Sequence, residues 1–202
     1  MKKVFTLSKI VALFVFAGAT SAVAQPTQKI SINLFSLPVR TLNLAYEKQV
    51  SESVGLQMAA YYFFGYNENW GDGQTYENKT KFSGWGAIPE LRFYPMGNGI
   101  KGFYVGPHIR FRHFDFNTTE KDITNGTTTD LKSNWNQIGG GVVVGGQWHF
   151  GDKVNFDVYG GPGFTSTSVK YEGTADANDF DSGRLGNGNF YFRTGVRLGY
   201  SF

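Results

Sequence analysis

The sequence contains no cysteine, so no disulfide bond stabilises the fold, although exported proteins often have them. A lipoprotein anchor is excluded for the same reason, because it requires a cysteine after the cleavage site. There is no nucleotide-binding glycine loop, no metal-spaced histidine pair and no nucleic-acid-binding motif. After the N-terminus, no apolar run approaches the ~20 residues that a transmembrane helix needs. Residence in a membrane would therefore depend on β-strands.

The first 24 residues have the three parts of a secretory signal peptide. Lys2 and Lys3 form a basic head, residues 10–17 are apolar, and Ala22-Val23-Ala24 is a cleavage site. We expect removal of residues 1–24, leaving one domain over residues 25–202. The signal holds three of the 19 basic residues and none of the 16 acidic ones, so the remaining chain has 16 of each. The basic pI therefore does not indicate nucleic-acid binding, and none is expected.

Apolar and polar residues alternate with a period of two along most of the remaining chain, which indicates β-strands with one apolar face. In the last segment the even positions from Phe190 to Phe202 are apolar except Thr194, and the odd positions include Arg193 and Arg197. Eight segments share this pattern: residues 29–35, 40–48, 54–64, 82–95, 102–116, 132–150, 154–170 and 189–202. The division of residues 29–48 at residues 37–39 is inferred, since one continuous strand also fits. Pro89, Pro107 and Pro162 remove ladder donors, and we expect β-bulges there.

The connections between these segments are of two lengths. Three are short, residues 49–53, 96–101 and 151–153, and three are long and polar, residues 65–81, 117–131 and 172–189. Transmembrane β-barrels combine an even strand number with short periplasmic turns and longer extracellular loops. The sequence therefore predicts an all-β, eight-stranded antiparallel transmembrane β-barrel in up-and-down order. We expect a monomer in the bacterial outer membrane with both termini periplasmic.

The three long connections are acidic. They hold four basic residues and ten acidic ones, a net charge of −6; the acids are Glu68, Asp72, Glu77, Glu120, Asp122, Asp130, Glu172, Asp176, Asp179 and Asp181. We predict a structural or adhesive role through these loops, with an unknown extracellular partner. Residues 176–183 have calcium-like oxygen spacing, but the acid required at the twelfth position is missing. Neither a metal nor a cofactor is expected.

Aromatic residues gather near both ends of the segments, as in the interfacial girdles of membrane proteins. Those near the short turns are Tyr94, Phe103, Trp148, Phe150, Phe156, Tyr200 and Phe202. Those near the long connections are Tyr62, Phe64, Phe82, Trp85, Phe114, Phe116 and Trp135. Outer-membrane lipids, including lipopolysaccharide, are the expected surroundings.

Charged residues opposite the apolar face are predicted to line the lumen. They are Glu47, Glu90, Arg92, His108, Arg110, Arg112, His149, Asp157, Arg193 and Arg197. An eight-stranded barrel is only wide enough for its own side chains, and isolated buried charges are costly. We therefore expect a network of ion pairs that fills the lumen. A narrow pore is the alternative.

An outer-leaflet enzyme is a further alternative. His113 and Asp115 share the lipid-facing parity near the long connections, as do Ser166 and Ser168. Serine, histidine and aspartate in contact could hydrolyse or transfer an acyl ester of a lipid. No specific motif supports this hypothesis, so we expect no enzymatic activity.

Two sets of residues resemble known proteins. The final alternating strand, with Tyr200 and terminal Phe202, resembles the C-terminal signature that the barrel-assembly machinery of outer-membrane proteins binds. The run Pro89-Glu90-Leu91-Arg92-Phe93-Tyr94-Pro95 followed by Lys101-Gly102-Phe103-Tyr104-Val105-Gly106-Pro107 resembles a family of small bacterial outer-membrane barrels of unknown function. Asn33-Leu34-Phe35-Ser36-Leu37 and Leu44-Ala45-Tyr46-Glu47-Lys48 extend the resemblance. It implies an eight-stranded barrel similar to the OmpA or OmpX type and no established activity.

Overall fold

The chain forms a closed barrel of eight antiparallel strands. The computed structural model describes residues 27–71, 75–96, 99–151, 153–172 and 190–202, so the predicted signal peptide lies outside the described residues. The strands are β1 (Gln28–Asn33), β2 (Thr41–Ser51), β3 (Val54–Gly71), β4 (Tyr76–Phe93), β5 (Gly102–Asp122), β6 (Thr127–Phe150), β7 (Val154–Glu172) and β8 (Phe190–Ser201). Each strand pairs with the next, and β8 pairs with β1, which confirms the predicted up-and-down order. Among the described residues, no helix has the length and apolar character to cross a membrane.

The division between β1 and β2 is present. A 3-10 turn, Leu34–Ser36, follows β1, and the side chain of its N-cap Asn33 accepts a hydrogen bond from the backbone N–H of Phe35. Arg40 then adopts a positive φ of 53° immediately before β2. The first strand ends at Asn33 rather than at residue 35, because the Asn33 side chain bonds the turn backbone and starts the reversal.

Two of the predicted long loops are largely strand. β3 and β4 continue through most of residues 65–81, and β5 and β6 through most of residues 117–131. Polar pairs connect neighbouring strands there, including Thr80 Oγ1 to Thr118 Oγ1 at 3.3 Å and Thr119 Oγ1 to Asp130 Oδ1 at 2.7 Å. The polar composition indicated loops, but cross-strand pairs of this kind also stabilise sheets. The third long connection lies outside the described residues between positions 172 and 190.

The prolines do not form the predicted bulges. The β6–β7 register is the same on both sides of Pro162, with Gly141 opposite Gly163 and Val144 opposite Gly160. The registers at Pro89 and Pro107 are also continuous. Register shifts occur instead between Gln49 and Ser51 and between Phe63 and Tyr66. A strand can therefore lose one ladder donor at proline without acquiring an extra residue.

The two faces of the barrel have the polarity of a transmembrane barrel, apolar outside and polar inside. Exposed side chains facing outward include Leu56, Trp85, Leu91, Phe103, Ile109, Trp148, Phe192 and Leu198. The buried interior instead contains lysine, arginine, glutamate, aspartate and glutamine. A soluble protein would require the opposite distribution, because burial of apolar surface is what stabilises it in water.

Four strands continue beyond the apolar surface. β5 has 21 residues and β6 has 24, whereas a tilted strand crosses a membrane with about 10. We call residues 66–71, 76–81, 117–122 and 127–132 the barrel extension. With a rise of ~3.3 Å per residue and a tilt near 40°, it projects roughly 15 Å from the rest of the barrel. We call this end of the molecule the extension end, and the opposite end, which holds both described termini of the barrel, the short-turn end.

Candidate functional site

Ion pairs fill the lumen toward the short-turn end. Lys29 Nζ lies 2.7 Å from Glu47 Oε2, and Arg92 Nη1 lies 3.0 Å from both Glu47 Oε2 and Asp157 Oδ2. The side chains of all four residues are fully buried. Two cations and two carboxylates thus neutralise one another across strands β1, β2, β4 and β7.

The network continues toward the middle of the barrel. Arg92 Nε donates to Glu90 Oε1 at 2.6 Å, and Arg193 Nη1 donates to Glu90 Oε2. Arg197 Nη1 donates to Gln57 Oε1 at 2.9 Å and lies 3.8 Å from Asp157 Oδ2. Both oxygens of Glu90 are therefore engaged by arginines from β4 and β8. We call the ion pairs of Lys29, Glu47, Glu90, Arg92, Asp157, Arg193 and Arg197 the lumenal network.

Neutral side chains complete the lumenal network. Tyr94 Oη donates to Glu47 Oε1 at 2.5 Å, and Tyr104 Oη donates to Asp157 Oδ1 at 2.8 Å. Gln147 Oε1 accepts from Lys29 Nζ at 2.5 Å. The prediction that Tyr94 is an interfacial residue was wrong. Tyr94 directly follows β4 and has the same inward parity as Glu90 and Arg92 of that strand. Lys29 was not among the predicted lumenal charges, although the same alternation places it on the face opposite the outward-facing Ile30.

Tyrosine rings fill space beside glycines on neighbouring strands. Tyr61 is paired with Gly86, Tyr159 with Gly195, and Tyr191 with Gly163. A Cβ atom added to Gly163 would lie 2.3 Å from Cζ of Tyr191, so the ring occupies the volume of a side chain. Arginines lie over two of these rings: the Arg197 guanidinium carbon is 4.5 Å from the Tyr159 centroid, and that of Arg110 is 3.4 Å from the Tyr191 centroid. Glycine, tyrosine and arginine thus form successive layers from the wall inward.

The lumen toward the extension end holds two arginines that have no ion-pair partner among the described residues. Arg110 lies over the ring of Tyr191 at 3.4 Å, and Arg112 lies 5.5 Å from the centroid of Phe114. His108 Nε2 and Tyr191 Oη are hydrogen-bonded at 2.9 Å. Within the described residues, neither Arg110 nor Arg112 forms an ion pair. The candidate His149 lies toward the other end of the barrel, where its Nε2 is 3.4 Å from Ser201 Oγ.

An aromatic cluster lies above these arginines on the inner face of the barrel. Phe82 stacks on Phe114 and Phe116 with centroids 5.2 and 4.3 Å apart, and Phe116 contacts Trp135 at 5.0 Å. The prediction that these four rings belong to the outer girdle was wrong. Even positions of β4 and β5 and odd positions of β6 face inward, so strand parity assigns all four to the lumen. Tyr62, Phe64 and Trp85 do face outward, where they are exposed.

The residues of the alternative catalytic hypothesis do not form a triad. His113 Nε2 is 3.2 Å from Asp115 Oδ1, but His113 Nδ1 is bonded to Asn136 Oδ1 at 2.7 Å. Asn136 on β6 lies opposite Ser168 on β7, so His113 and Ser168 are two strand spacings apart, about 10 Å. Ser166 lies opposite Ile138. Neither serine is placed for proton transfer to His113, which requires about 3 Å.

The C-terminal residues close the barrel. Phe202 N donates to Gln28 O at 2.9 Å, and Gln28 N donates to Phe202 O at 3.1 Å. The rings of Tyr200 and Phe202 lie with centroids 6.4 Å apart. The two candidate assembly residues thus lie beside the strand pair that joins the first strand to the last.

The candidate loop acids are only partly within the described structure. Asp176, Asp179 and Asp181 lie outside it. Glu77, Glu120, Asp122 and Asp130 lie on the barrel extension or its turn. In the described part of the chain, no three histidine or acidic side chains are grouped to hold a metal ion.

Similar proteins are found among solved structures and in one sequence family. No curated protein matches the sequence. Among solved structures, the chain is similar to CarO of Acinetobacter baumannii, with 14% identity, 89% of this chain and 99% of that chain covered, and a TM-score of 0.44. It is also similar to a major outer membrane protein of Thermus thermophilus, with 12% identity, 87% and 99% coverage, and a TM-score of 0.46. A third likeness is to the N-terminal β-barrel domain of Pseudomonas aeruginosa OprF, with 12% identity, 88% and 98% coverage, and a TM-score of 0.31.

These structural likenesses are low, and the barrel topology is established by the strand pairing of the chain itself. The sequence comparison is more extensive, since one family model covers residues 10–202. The chain therefore belongs to the family described as "Protein of unknown function (DUF3575)".

Proposed function

We propose that the protein is an outer-membrane barrel with periplasmic termini, a closed lumen, and a structural or surface-interaction role carried by the barrel extension. The observation that carries this proposal is the continuation of β3 to β6 as a paired sheet beyond the apolar surface. Short turns at the opposite end agree with the usual asymmetry of outer-membrane barrels.

The outward-facing apolar side chains support membrane insertion. Phe103, Trp148 and Tyr200 lie toward the short-turn end, and Trp85 and Phe111 lie toward the extension end. Aliphatic side chains such as Leu91 and Ile109 are exposed between them. Aromatic residues at both borders of an apolar band match the headgroup regions of a bilayer. In water, this much exposed apolar surface would cause aggregation.

The lumenal network favours an interaction role over a pore. Lys29, Glu47, Arg92 and Asp157 are fully buried and bonded across the barrel. An ion crossing this section would need to separate several buried pairs, each stabilised by charged hydrogen bonds. An acyl-transfer role has less support, because the serines are remote from His113.

The barrel extension provides an ordered surface. Its described outward-facing charges are Glu77, Lys79, Lys81, Lys121, Asp130 and Lys132. Lysines thus exceed acids on this face, which differs from the acidic character expected for the loops as a whole. Acidic Glu120 and Asp122 have the inward parity. The described outward face therefore favours anionic surfaces as partners.

The tip of the β5–β6 hairpin is an ordered turn. Asp122 accepts hydrogen bonds from Thr124 N at 2.9 Å, Asn125 N at 3.1 Å and Asn125 Nδ2 at 2.7 Å. These bonds, chiefly those from Asn125, hold the pKa of Asp122 below its ordinary value. The carboxylate therefore stays charged and keeps the turn bonded, which presents a fixed shape to a partner.

The test removes the barrel extension and keeps the membrane-spanning barrel. Residues 66–81 and 117–132 are each replaced by an Asn-Gly turn, which suits two-residue hairpins. Cells producing each protein are compared for attachment to glass and to one another. We expect the wild type to increase attachment and the shortened protein to lose that increase while remaining in the outer membrane.

A second variant separates charge from shape. In it, Lys79, Lys81, Lys121 and Lys132 are all changed to glutamine, and we expect an intermediate loss of attachment. Equal attachment by wild-type and shortened proteins, both present in the outer membrane, would refute the role of the extension.

A further inference from the structure

We propose that the lumen toward the extension end binds a small oxyanion, a phosphate, sulfate or carboxylate group, with Arg110 and Arg112 as its ligands. This site is separate from the surface of the barrel extension. It follows from a difference between buried arginines in the described part of the lumen: Arg92 and Arg193 form ion pairs with carboxylates, whereas Arg110 and Arg112 form none.

The donors of these arginines are buried and unused within the described part of the chain. Arg110 is 9% exposed, and its Nε and Nη2 atoms have no hydrogen-bond partner there. Nε of Arg112 is likewise unpartnered, as is Nη2 of Arg193. Arg110 and Arg112 are two residues apart on β5, so both side chains project from the same face about 6–7 Å apart along the strand. A single tetrahedral or planar oxyanion is large enough to interact with both.

The described side chains beside these arginines supply no negative charge. On strands β2 to β7, the described inward-facing residues in the rows of Arg110 and Arg112 are Asn43, Ala45, Ala59, Tyr61, Gly86, Ile88, Gln137, Gly139, Thr165 and Thr167. Glu90, an inward-facing carboxylate paired with His108 on the next lumenal row, already accepts from Arg92 and Arg193. Buried guanidinium groups without a counter-charge are costly, and arginine binds oxyanions through paired N–H donors. A bound oxyanion would supply the missing charge and accept the unused hydrogen bonds.

An anion would reach the site from the extension end, where some of the described inward-facing side chains are exposed. Gln137 and Thr167 face inward and are hydrogen-bonded to each other at 3.0 Å in an exposed position. The rings of Phe82, Phe114, Phe116 and Trp135 lie between this entrance and the arginines, so an anion attached to an apolar or ring-shaped group would contact them as well. Apolar walls with a few convergent polar groups are typical of small-molecule sites.

Binding of inorganic phosphate to the refolded full-length mature chain in detergent tests this site. Tryptophan and tyrosine fluorescence is followed as phosphate is added at constant ionic strength, with sulfate and acetate in parallel titrations. We expect saturable binding of at least one of the three anions. Arg110→Gln and Arg112→Gln should each weaken it by about tenfold or more, the usual effect of losing a charged hydrogen bond. Lys101→Gln, which removes an exposed positive charge at the short-turn end, should leave the affinity unchanged.

Two further measurements show whether each variant is folded and whether the oxyanion belongs to a lipid. Heat-modifiable mobility on gels shows that each variant is folded, and Arg112→Lys should retain more affinity than Arg112→Gln because it retains the charge. Lipid A in mixed micelles replaces phosphate in a separate titration. If lipid A binds and Arg110→Gln weakens that binding, the oxyanion is a lipid phosphate. If Arg110→Gln weakens the binding of the free anions and lipid A does not bind, the oxyanion belongs to a soluble ligand.

Three outcomes would overturn the proposal. The first is no saturable binding by the wild type. The second is equal binding by the wild type, Arg110→Gln and Arg112→Gln. The third is binding that appears only when Asp176, Asp179 and Asp181 are changed to asparagine, because the protein itself would then supply the counter-charge. None of these outcomes would affect the proposed role of the barrel extension.

Discussion

At the scale of single residues, the barrel depends on how charges are paired inside it. Glu90 illustrates this best, because its two carboxylate oxygens accept from Arg92 and Arg193 on different strands. Sequence parity was enough to assign Glu90, Arg92 and Asp157 to the lumen. Parity alone could not select partners, because partner choice depends on the stagger between strands that are far apart in sequence. It also could not show that Arg110 and Arg112, unlike Arg92, form no ion pair within the described residues.

Removal of the Glu90 carboxylate should destabilise the folded barrel. In Glu90→Ala, Arg92 and Arg193 lose a common partner in a buried environment. Breaking a buried pair typically costs about 3–5 kcal/mol. Urea unfolding of the protein in lipid vesicles, followed by tryptophan fluorescence, should show this loss. The matched variant Glu52→Ala removes an exposed carboxylate from a short turn and should unfold at the wild-type urea concentration. Equal midpoints for the two variants would indicate a hydrated lumen in which Glu90 is not a structural partner.

At the scale of strands, the alternation of apolar and polar residues predicted which face of the barrel each side chain is on. It did not predict where the strands end. Even and odd positions of β8 face outward and inward along its whole length, as the sequence indicated. Residues 117–122 and 127–131 were expected to be loop because they are rich in threonine and asparagine. In the structure they are strands held by cross-strand pairs such as Thr119 with Asp130. Composition describes exposure to water, and a strand that leaves the membrane is as exposed as a loop, so composition does not separate the two.

The same alternation explains why four aromatic rings were assigned to the wrong side. Phe82, Phe114, Phe116 and Trp135 lie near strand ends, and that position alone resembles a girdle. The three phenylalanines have the parity of Gly84 and Arg112, and Trp135 has that of Gln137, all of which face the lumen. Parity is therefore the more reliable indicator when it conflicts with nearness to a strand end.

Packing of tyrosine on glycine between strands β7 and β8 gives a test at this scale. Gly163→Ala places a methyl group where the Tyr191 ring lies, 2.3 Å from its Cζ atom. Overpacking of this kind costs about 1–3 kcal/mol, and we expect that loss in urea unfolding. Gly160→Ala is the control on the same strand, because its nearest contact would be 3.4 Å from Phe192 on the outer face. If both alanine variants lost stability equally, intrinsic strand propensity rather than ring packing would explain the result.

At the scale of the whole molecule, the two halves of the barrel along its axis differ in the side chains that they hold. The half toward the short-turn end is closed by the lumenal network. The half toward the extension end combines unpaired arginines, an aromatic cluster and a projecting sheet. The eight-stranded architecture followed from strand count, connection length and alternation, since each is a local property of the sequence. The contrast between the two halves could not be predicted from the sequence, because it arises from residues that come together only when the barrel closes.

Membrane insertion with the extension outside is the central claim, and the absence of native cysteine permits a direct measurement of it. Thr124→Cys places a single thiol on the exposed turn of the barrel extension, and Lys153→Cys places one on an exposed short turn at the other end. A maleimide reagent that cannot cross the outer membrane is added to intact cells producing either protein. We predict that Thr124→Cys reacts on intact cells, whereas Lys153→Cys reacts only after the outer membrane is disrupted. Reaction of Lys153→Cys on intact cells to the same extent as Thr124→Cys, or the reverse order, would contradict the account.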